Sequence, residues 1–334
     1  MSAASAAPSV VTLGETMALM SSDTFGPLQH TRAMTLGIGG SESNVAIALR
    51  RLGTPVTWIG RVGEDSLGDL VLREISAEGV RVVGIRDSDA PTGLMVKERR
   101  TSRGTRVWYY RRGNAGSRLG PGDIDPELIR SASLLHLTGI TPALSDSAAD
   151  ALFEAIRVAS DAGVTVSFDL NFRGKLWSPA EAGAMYRRIL PLVDLVFGGA
   201  DEAAIAVGEA AIAVGEAAIA VGEAAAPLLL AHRLIETGVG EAVVKLGERG
   251  AVAVVQGREY ERAAIPITAL DTVGAGDGFV AGYLAEFLLG RDVATRLTTA
   301  VTVGAYACLV PGDWEGMPRR CELAALGASE PVSR

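Results

Sequence analysis

Short apolar runs alternate along this chain with longer segments in which apolar residues recur every three or four positions. The short runs have the length and composition of buried strands, and the longer segments have the spacing of helices that end at a glycine. Strands are predicted at 10–13, 56–60 and 164–169, and helices at 44–52, 67–78 and 149–162. Strands that alternate with helices form a mostly parallel sheet covered on both faces, so the pattern predicts an α/β fold.

Residues 86–112 interrupt this alternation. Apolar and polar residues alternate singly at 93–98 and 106–111, on either side of a turn at 102–104, as in two antiparallel strands. The pattern is compatible with a plain surface hairpin or with a small second sheet that covers a site.

The composition limits the classes of function. The chain has 334 residues, 48% of them hydrophobic, and a net charge of −8 from 31 basic and 39 acidic residues. This balance argues against a general nucleic-acid or membrane surface. Two cysteines cannot build a disulfide framework, and the three histidines lack metal-ligand spacing. Residues 1–9 resemble a disordered tail rather than a signal peptide, so we expect a single cytoplasmic domain over 10–330.

A heptapeptide, Ala-Ile-Ala-Val-Gly-Glu-Ala, occurs three times in tandem at 204–224. One glycine per copy costs about 1 kcal/mol in a helix interior, so a lengthened or frayed helix is expected. The glutamate in each copy argues against a membrane span. Two copies are interpreted as a recent duplication without a function of its own, and a coiled-coil partner site is the alternative.

The most informative segment is 271–279, with the sequence Asp-Thr-Val-Gly-Ala-Gly-Asp-Gly-Phe, which precedes an apolar helix. Gly274 and Gly276 lack side chains, so backbone N–H groups at a positive helix end can approach an anion closely. Asp277 could accept a proton from an attacking hydroxyl. An ordinary N-cap is the alternative role for this aspartate. The chain contains neither a P-loop nor a Gly-x-Gly-x-x-Gly after its first strand.

The segment resembles the signature of the ribokinase-like (phosphofructokinase B type) carbohydrate kinases, and the similarity runs from about Val11 to Leu326. The resemblance implies a three-layer α/β/α sandwich with a small β-sheet lid, contributed by about 15–36 and 86–112. It implies that Asp277 is the catalytic base and that Gly274, Ala275 and Gly276 form an anion hole. It also implies a homo-oligomer that associates through the lid.

The same resemblance implies ATP and Mg²⁺. The segment 242–251 is similar to a nucleotide segment of the family, which assigns Lys245, Gly247 and Gly250 to ATP. Glu202 corresponds to a residue that holds Mg²⁺ through water, although glycine stands at the usual asparagine position, Gly198. Asp271 corresponds to a residue near a monovalent cation, so K⁺ is a further expectation. An adenine-side asparagine of the family is replaced by Val301.

For the sugar, 37–44 resembles the family's Gly-Gly motif, which implies substrate contacts from Gly39, Gly40 and Asn44. Segments at 109–117, 136–141, 168–177 and 312–318 resemble 2-keto-3-deoxygluconate kinases. There the counterparts of Tyr109, Arg111 and Arg173 hold the sugar acid, as suits a guanidinium facing a carboxylate. Solvated or structural arginines are the alternative.

These features together favour ATP-dependent phosphorylation of the 6-hydroxyl of 2-keto-3-deoxygluconate. A kinase for a neutral ketose such as fructose is the nearest alternative, because the arginines are then dispensable. A catalytically silent sugar-binding protein is the alternative from another class, motivated by the altered site around Gly198.

Overall fold

A computed structural model describes residues 7–101, 104–208 and 226–326 of the chain. The predicted tail residues 1–6, residues 102–103 of the predicted turn and repeat residues 209–224 lie outside the described residues.

Nine strands form a large sheet in the order β13-β12-β11-β10-β9-β8-β1-β4-β5. The pairs from β11 to β5 are parallel, and β12 and β13 are added antiparallel at one edge. Its strands are β1 (Val10–Leu13), β4 (Val56–Gly63), β5 (Arg81–Asp87), β8 (Leu134–Thr138), β9 (Thr165–Asp169), β10 (Leu195–Gly199), β11 (Glu241–Lys245), β12 (Ala251–Val255) and β13 (Arg258–Arg262).

Four further strands form a small sheet in the order β3-β2-β6-β7. They are β2 (Met17–Ser21), β3 (Thr35–Gly39), β6 (Leu94–Thr101) and β7 (Gly104–Tyr110). Strands β6 and β7 are antiparallel, as their alternating sequence predicts. The small sheet does not include the whole of the predicted range 86–112, because Arg86 and Asp87 belong to the edge strand of the large sheet.

Helices cover both faces of the large sheet. They are α1 (Ser41–Arg51), α2 (Ser66–Ala77), α3 (Pro126–Arg130), α4 (Asp146–Ala162), α5 (Pro179–Ile189), α6 (Ala200–Val207), α7 (Ala226–Glu236), α8 (Ala275–Leu288) and α9 (Val293–Ala307). Short 3₁₀ segments occur at Leu28–His30, Ala115–Arg118, Pro121–Asp123, Thr141–Ala143, Leu190–Leu192, Gly247–Arg249 and Arg320–Ala325.

Helix ends follow their local sequence. The Asp65 carboxylate accepts a hydrogen bond from the Gly68 N–H and starts α2, and the Ser145 hydroxyl does the same for α4. Helix α4 stops at Gly163, which adopts a left-handed conformation with φ 69°.

Two hydrophobic cores confirm the predicted three layers. Val11 and Leu135 pack under α4 to α7, whereas their neighbours Val10 and Leu134 pack on the opposite face under α1, α8 and α9. Successive strand residues point to opposite faces, so strands with helices on both sides are apolar throughout.

Candidate active site

Asp277 lies in the first turn of α8, which begins at Ala275, about one turn earlier than the helix predicted to follow residue 279. The aspartate is buried, its Oδ1 accepts a hydrogen bond from Ser41 Oγ at 2.7 Å, and its Oδ2 accepts one from Asn44 Nδ2 at 2.8 Å. These partners belong to α1 rather than to the backbone of α8, so the ordinary N-cap role does not apply. Burial raises the pKa of Asp277 above its ordinary value, against the lowering effect of the two hydrogen bonds. A buried carboxylate with a raised pKa is suited to accept a proton.

The glycine turn, residues 271–276, positions the start of α8. Gly274 is the residue before the helix and has φ 77°, a conformation that glycine adopts without cost. A Cβ atom at this position would lie 1.8 Å from the carbonyl oxygen of Asp313. The backbone of the turn is therefore packed directly against the loop that contains Asp313, with the N-terminus of a 14-residue helix beside Asp277. A helix N-terminus of this kind favours an anion.

The Gly-Gly motif lies at the end of β3 and the start of α1. Gly39 is the last residue of β3, and Gly40 is the residue before α1. A Cβ at Gly39 would come within 2.3 Å of Asp313 Oδ2, so glycine permits this close approach. Asn44 lies inside the helix, not in a turn, and its amide nitrogen holds Asp277. Its buried Oδ1 has no hydrogen-bond partner among the described residues.

Lys245 lies at the carboxyl end of β11, next to the ends of β9 and β10. Its ammonium donates to both carboxylate oxygens of Asp169, at 2.8 and 2.9 Å. Burial alone would lower the pKa of Lys245, but the carboxylates of Asp169 and Glu202 outweigh burial and raise it. The Nζ atom would be 3.5 Å from a Cβ at Gly276, so a positive charge lies beside the glycine turn.

A central cavity of about 880 Å³ brings these groups together. Its lining includes Lys97, Tyr109, Asp169, Asn171, Arg173, Asp201, Glu202, Lys245, Gly247, Gly274, Gly276, Asp277 and Asp313. Gly250 does not line it. A Cβ at Gly250 would meet the carbonyl oxygen of Arg262 at 2.0 Å, so this glycine serves strand packing rather than direct contact with a nucleotide in the cavity.

Glu202 lies in the first turn of α6, at the wall of the central cavity. Its Oε1 accepts from the Phe172 N–H at 2.9 Å, and its Oε2 accepts from the Gly199 N–H at 2.7 Å. Asp201 adds an exposed carboxylate beside it. Mg²⁺ usually keeps several waters and binds one or two carboxylates plus phosphate oxygens, so these residues fit contact through water. Over the described residues, no group of three or more acidic, histidine or cysteine side chains could hold a metal ion.

An outer cavity of about 870 Å³ lies beside the central one. Its lining includes Trp108, Tyr109, Arg111, Arg112, Phe172, Arg173 and Lys175. Arg173 is exposed and lines both cavities, and Lys175 lies 5.2 Å from the centre of the Tyr109 ring. The outer cavity is therefore cationic and aromatic, which suits an anionic ligand.

Arg111 is more constrained than the sequence predicts. Its Nη2 pairs with the buried carboxylate of Glu15, which also accepts a hydrogen bond from Asn114. Burial raises the pKa of Glu15, although Arg111 and Asn114 lower it. Part of the Arg111 guanidinium therefore already pairs with a carboxylate of the protein. Arg173, in contrast, donates to a backbone carbonyl, that of the neighbouring Phe172, at 3.3 Å.

Asp271 lies beside an internal cation. Its Oδ1 accepts from the Val273 N–H at 3.1 Å, and its Oδ2 lies 3.5 Å from the Lys97 ammonium. The Lys97 ammonium thus already supplies a positive charge to this carboxylate, and a second cation at the same place would be repelled by it.

Several residues of the site were not predicted from the sequence to belong to it. Ser41 and Asn171 belong to the Asp277 network, since the Asn171 amide donates to Ser41 Oγ at 2.6 Å. Lys97, Asp169 and Asp313 come from separate segments and meet only in the folded chain. Asp313 lies within the segment 312–318, and the resemblance of that segment to 2-keto-3-deoxygluconate kinases was the available signal for it.

The three-layer sandwich, the small sheet and the glycine turn with its buried aspartate define the class of ribokinase-like carbohydrate kinases. The chain belongs to the pfkB family of carbohydrate kinases, whose family model matches residues 7–320. It is a sugar kinase, a phosphotransferase with an alcohol as acceptor.

Curated relatives cover nearly the whole chain. A 2-dehydro-3-deoxygluconokinase of Bacillus subtilis is 33% identical over 95% of this chain and 94% of its own length. A 2-dehydro-3-deoxygalactonokinase of Haloferax volcanii is 32% identical over 91% of this chain and 92% of its own.

Solved structures share the fold. A fructokinase of Xylella fastidiosa with bound ATP has a TM-score of 0.77 and 26% identity, and the match covers 95% of this chain and 97% of that one. A proposed ribokinase II of E. coli in complex with ATP and Mg²⁺ has a TM-score of 0.85 and 23% identity, over 96% and 98% of the two chains. Among the described residues, no helix is both long and apolar enough to cross a membrane.

Proposed function

We propose that this protein phosphorylates the 6-hydroxyl of 2-keto-3-deoxygluconate with ATP. The observation that carries the proposal is the position of Arg173, an exposed cation that lines both the cavity of Asp277 and the cationic outer cavity. A sugar acid can place its hydroxyl end at Asp277 and its carboxylate at the arginine. The curated relatives named for 2-dehydro-3-deoxy sugar acids support the same substrate class.

In the proposed reaction, Asp277 takes the proton from the sugar hydroxyl as its oxygen bonds to the γ-phosphorus of ATP. The bond between the γ-phosphorus and the bridging oxygen breaks, and ADP leaves. Ser41 and Asn44 hold the carboxylate of Asp277, while the Gly274, Ala275 and Gly276 backbone and Lys245 stabilise negative charge on the phosphoryl group. Glu202, with Asp201 beside it, would hold Mg²⁺ through water, and the bound ion would supply positive charge to the phosphate oxygens.

ATP as phosphoryl donor is supported by the ATP-bound structures of similar fold. The glycine turn between β11 and β12, which follows Lys245, is the segment that we assign to the nucleotide, with Gly247 at φ 58° lining the central cavity. Gly250 closes that turn, because its carbonyl oxygen accepts a hydrogen bond from the Leu246 N–H at 2.8 Å.

The test is ADP release with Mg²⁺ and ATP for 2-keto-3-deoxygluconate, its galactonate epimer, fructose, ribose and adenosine. We expect ADP release to be faster with at least one of the two sugar acids than with fructose, ribose or adenosine. A preference for a neutral sugar contradicts the substrate assignment while leaving the kinase intact.

Arg173→Gln is the most informative variant, because Arg173 has no ion-pair partner that its removal would leave buried and unpaired in the described part of the chain. We expect KM for the acid to rise more than about tenfold, near 1.4 kcal/mol. Arg188→Gln, at an exposed position on α5, is the matched control and should leave KM unchanged. An unchanged KM in Arg173→Gln favours the neutral-ketose alternative.

The neutral-ketose alternative has two observations in its favour. Arg111 is paired with Glu15, so it is not freely available for a substrate carboxylate, and a fructokinase shares the fold. The substrate panel above separates the two alternatives directly.

A further inference from the structure

The small sheet contributes one buried lysine to the glycine turn. Lys97 on β6 is 3% exposed, and its Nζ lies 2.5 Å from Asp313 Oδ1 and 3.5 Å from Asp271 Oδ2. It joins a strand of the small sheet to two carboxylates from the C-terminal part of the chain.

These carboxylates belong to the two segments that enclose Gly274. Asp271 opens the glycine turn and accepts hydrogen bonds from the Val273 N–H at 3.1 Å and from the Gly312 N–H at 3.4 Å. The carbonyl oxygen of Asp313 lies against Gly274 on the other side. A cation between Asp271 and Asp313 therefore holds together the two segments that shape the proposed anion hole.

The family resemblance implies a monovalent metal ion near Asp271, and the Lys97 ammonium is already within ion-pair distance of that carboxylate. We propose that Lys97 takes the place of the monovalent cation, so that phosphoryl transfer by this kinase does not depend on K⁺.

The protonation state of Lys97 supports this role. Burial alone would lower the pKa of Lys97, but the carboxylates of Asp313 and Asp271 outweigh it and raise the pKa. The ammonium lies between two carboxylates, which is the position that a metal-ion substitute must occupy.

The test compares wild type, Lys97→Met and Arg100→Met in KCl and in choline chloride at equal ionic strength. Arg100 is an exposed residue of the same strand and serves as the matched control. We expect the activity of wild type and Arg100→Met to differ less than about twofold between the salts, whereas Lys97→Met loses about tenfold in choline chloride and recovers in KCl.

A second readout is the melting temperature without sugar or nucleotide. KCl should raise the melting temperature of Lys97→Met relative to choline chloride and leave that of wild type unchanged, because the ion then fills the space of the ammonium. This inference rests on the proposed phosphoryl transfer at Asp277, but the melting measurement needs no substrate. A wrong substrate assignment is thus distinguishable from a wrong role for Lys97.

Two results would overturn the inference. The first is a loss of wild-type activity of about tenfold or more in choline chloride, which shows that the native enzyme needs the metal ion. The second is a Lys97→Met variant that KCl neither reactivates nor stabilises, which shows that Lys97 acts on the sugar or as a structural link only. If Lys97→Met does not fold, the wild-type comparison still decides.

Discussion

Asp277 and its two hydrogen bonds connect the start of α8 to the start of α1. Both carboxylate oxygens are held, one by Ser41 and one by Asn44, although Asp277 is far from these two residues in sequence. The carboxylate is therefore fixed in orientation while burial keeps its pKa above the ordinary value. Fixed orientation and a raised pKa are what proton abstraction from a hydroxyl requires.

Asp277→Asn should lower kcat by about 10²–10⁴, the usual contribution of a general base. Asparagine preserves the shape and the contact with Ser41 but cannot take a proton. In the wild type, kcat/KM should fall as pH drops through the raised pKa of Asp277, since only the ionised carboxylate is a base. Steady-state kinetics and a pH profile measure both effects. An Asn variant with near wild-type kcat would require another base.

Glu42 is a second buried carboxyl group close to Asp277. Its Oε1 accepts hydrogen bonds from the Thr138 and Thr141 hydroxyls, at 2.7 and 2.9 Å, and its Oε2 has no partner among the described residues. Burial raises the pKa of Glu42 to about 7, assisted by the charge of Asp277. The folded state therefore favours the protonated form.

Glu42→Gln should increase the free energy of unfolding by up to about 3 kcal/mol above pH 7. The gain should vanish below pH 4.5 and grow between pH 4.5 and about 7, because the unfolded glutamate ionises there while the folded one does not. Urea unfolding at pH 5 and pH 8 measures the difference. Glu127→Gln, at an exposed position, is the control and should change stability by less than about 0.5 kcal/mol. A gain equal at both pH values would rule out the titration of Glu42 as its cause.

Where the glycine turn meets α8, one glycine is required by the backbone conformation and another leaves space for an anion. Gly274 needs its left-handed conformation and its contact with the Asp313 carbonyl, whereas Gly276 has only the Lys245 ammonium nearby, at an ordinary contact distance. Two glycines of one motif thus serve different purposes.

Gly274→Ala should destabilise the protein by at least about 1–3 kcal/mol, because the new methyl group strains the backbone and overlaps the Asp313 carbonyl. Gly276→Ala should leave the melting temperature nearly unchanged but still reduce activity, since its methyl group stands where an anion would approach. Thermal unfolding with ADP-release kinetics for both variants checks this pair. Equal melting temperatures for the two variants would contradict the structural explanation.

At the scale of the whole molecule, the large sheet brings the ends of β9, β10 and β11 to one edge. That edge collects Asp169, Glu202 and Lys245, and the small sheet adds Lys97 from the opposite side. The carboxyl edge of an open α/β sheet is where such folds bind their ligands. The tandem repeat begins at residue 204 within α6, two residues after Glu202, and continues along the sequence to residue 224, just before α7.

Deletion of residues 211–224 should leave kcat/KM within about twofold and the melting temperature unchanged. The remaining connection between α6 and α7 has a length that is common between packed helices, and the helices contact each other in the described structure. Kinetics, thermal unfolding and light scattering measure activity, stability and mass together. A change in oligomer mass would instead support the coiled-coil alternative for the repeat.

Local sequence alone predicted the covered parallel sheet and several of its strands and helices, and it singled out Asp277 as a candidate base. Apolar periodicity and terminal glycines reflect short-range physics, namely the period of each element and the backbone freedom at its end, so they are visible before folding. The segment 271–279 likewise contains its candidate chemical groups within nine consecutive residues.

Only the tertiary structure decided the partners of the charged residues. The pairing of Glu15 with Arg111, the contact of Lys97 with Asp271 and Asp313, and the use of Asn44 to hold Asp277 join residues from separate segments. An arginine or lysine is recognisable in a sequence, but its role depends on which carboxylate burial brings within reach. Burial and pairing follow from the packing of all elements together, and no local pattern records them.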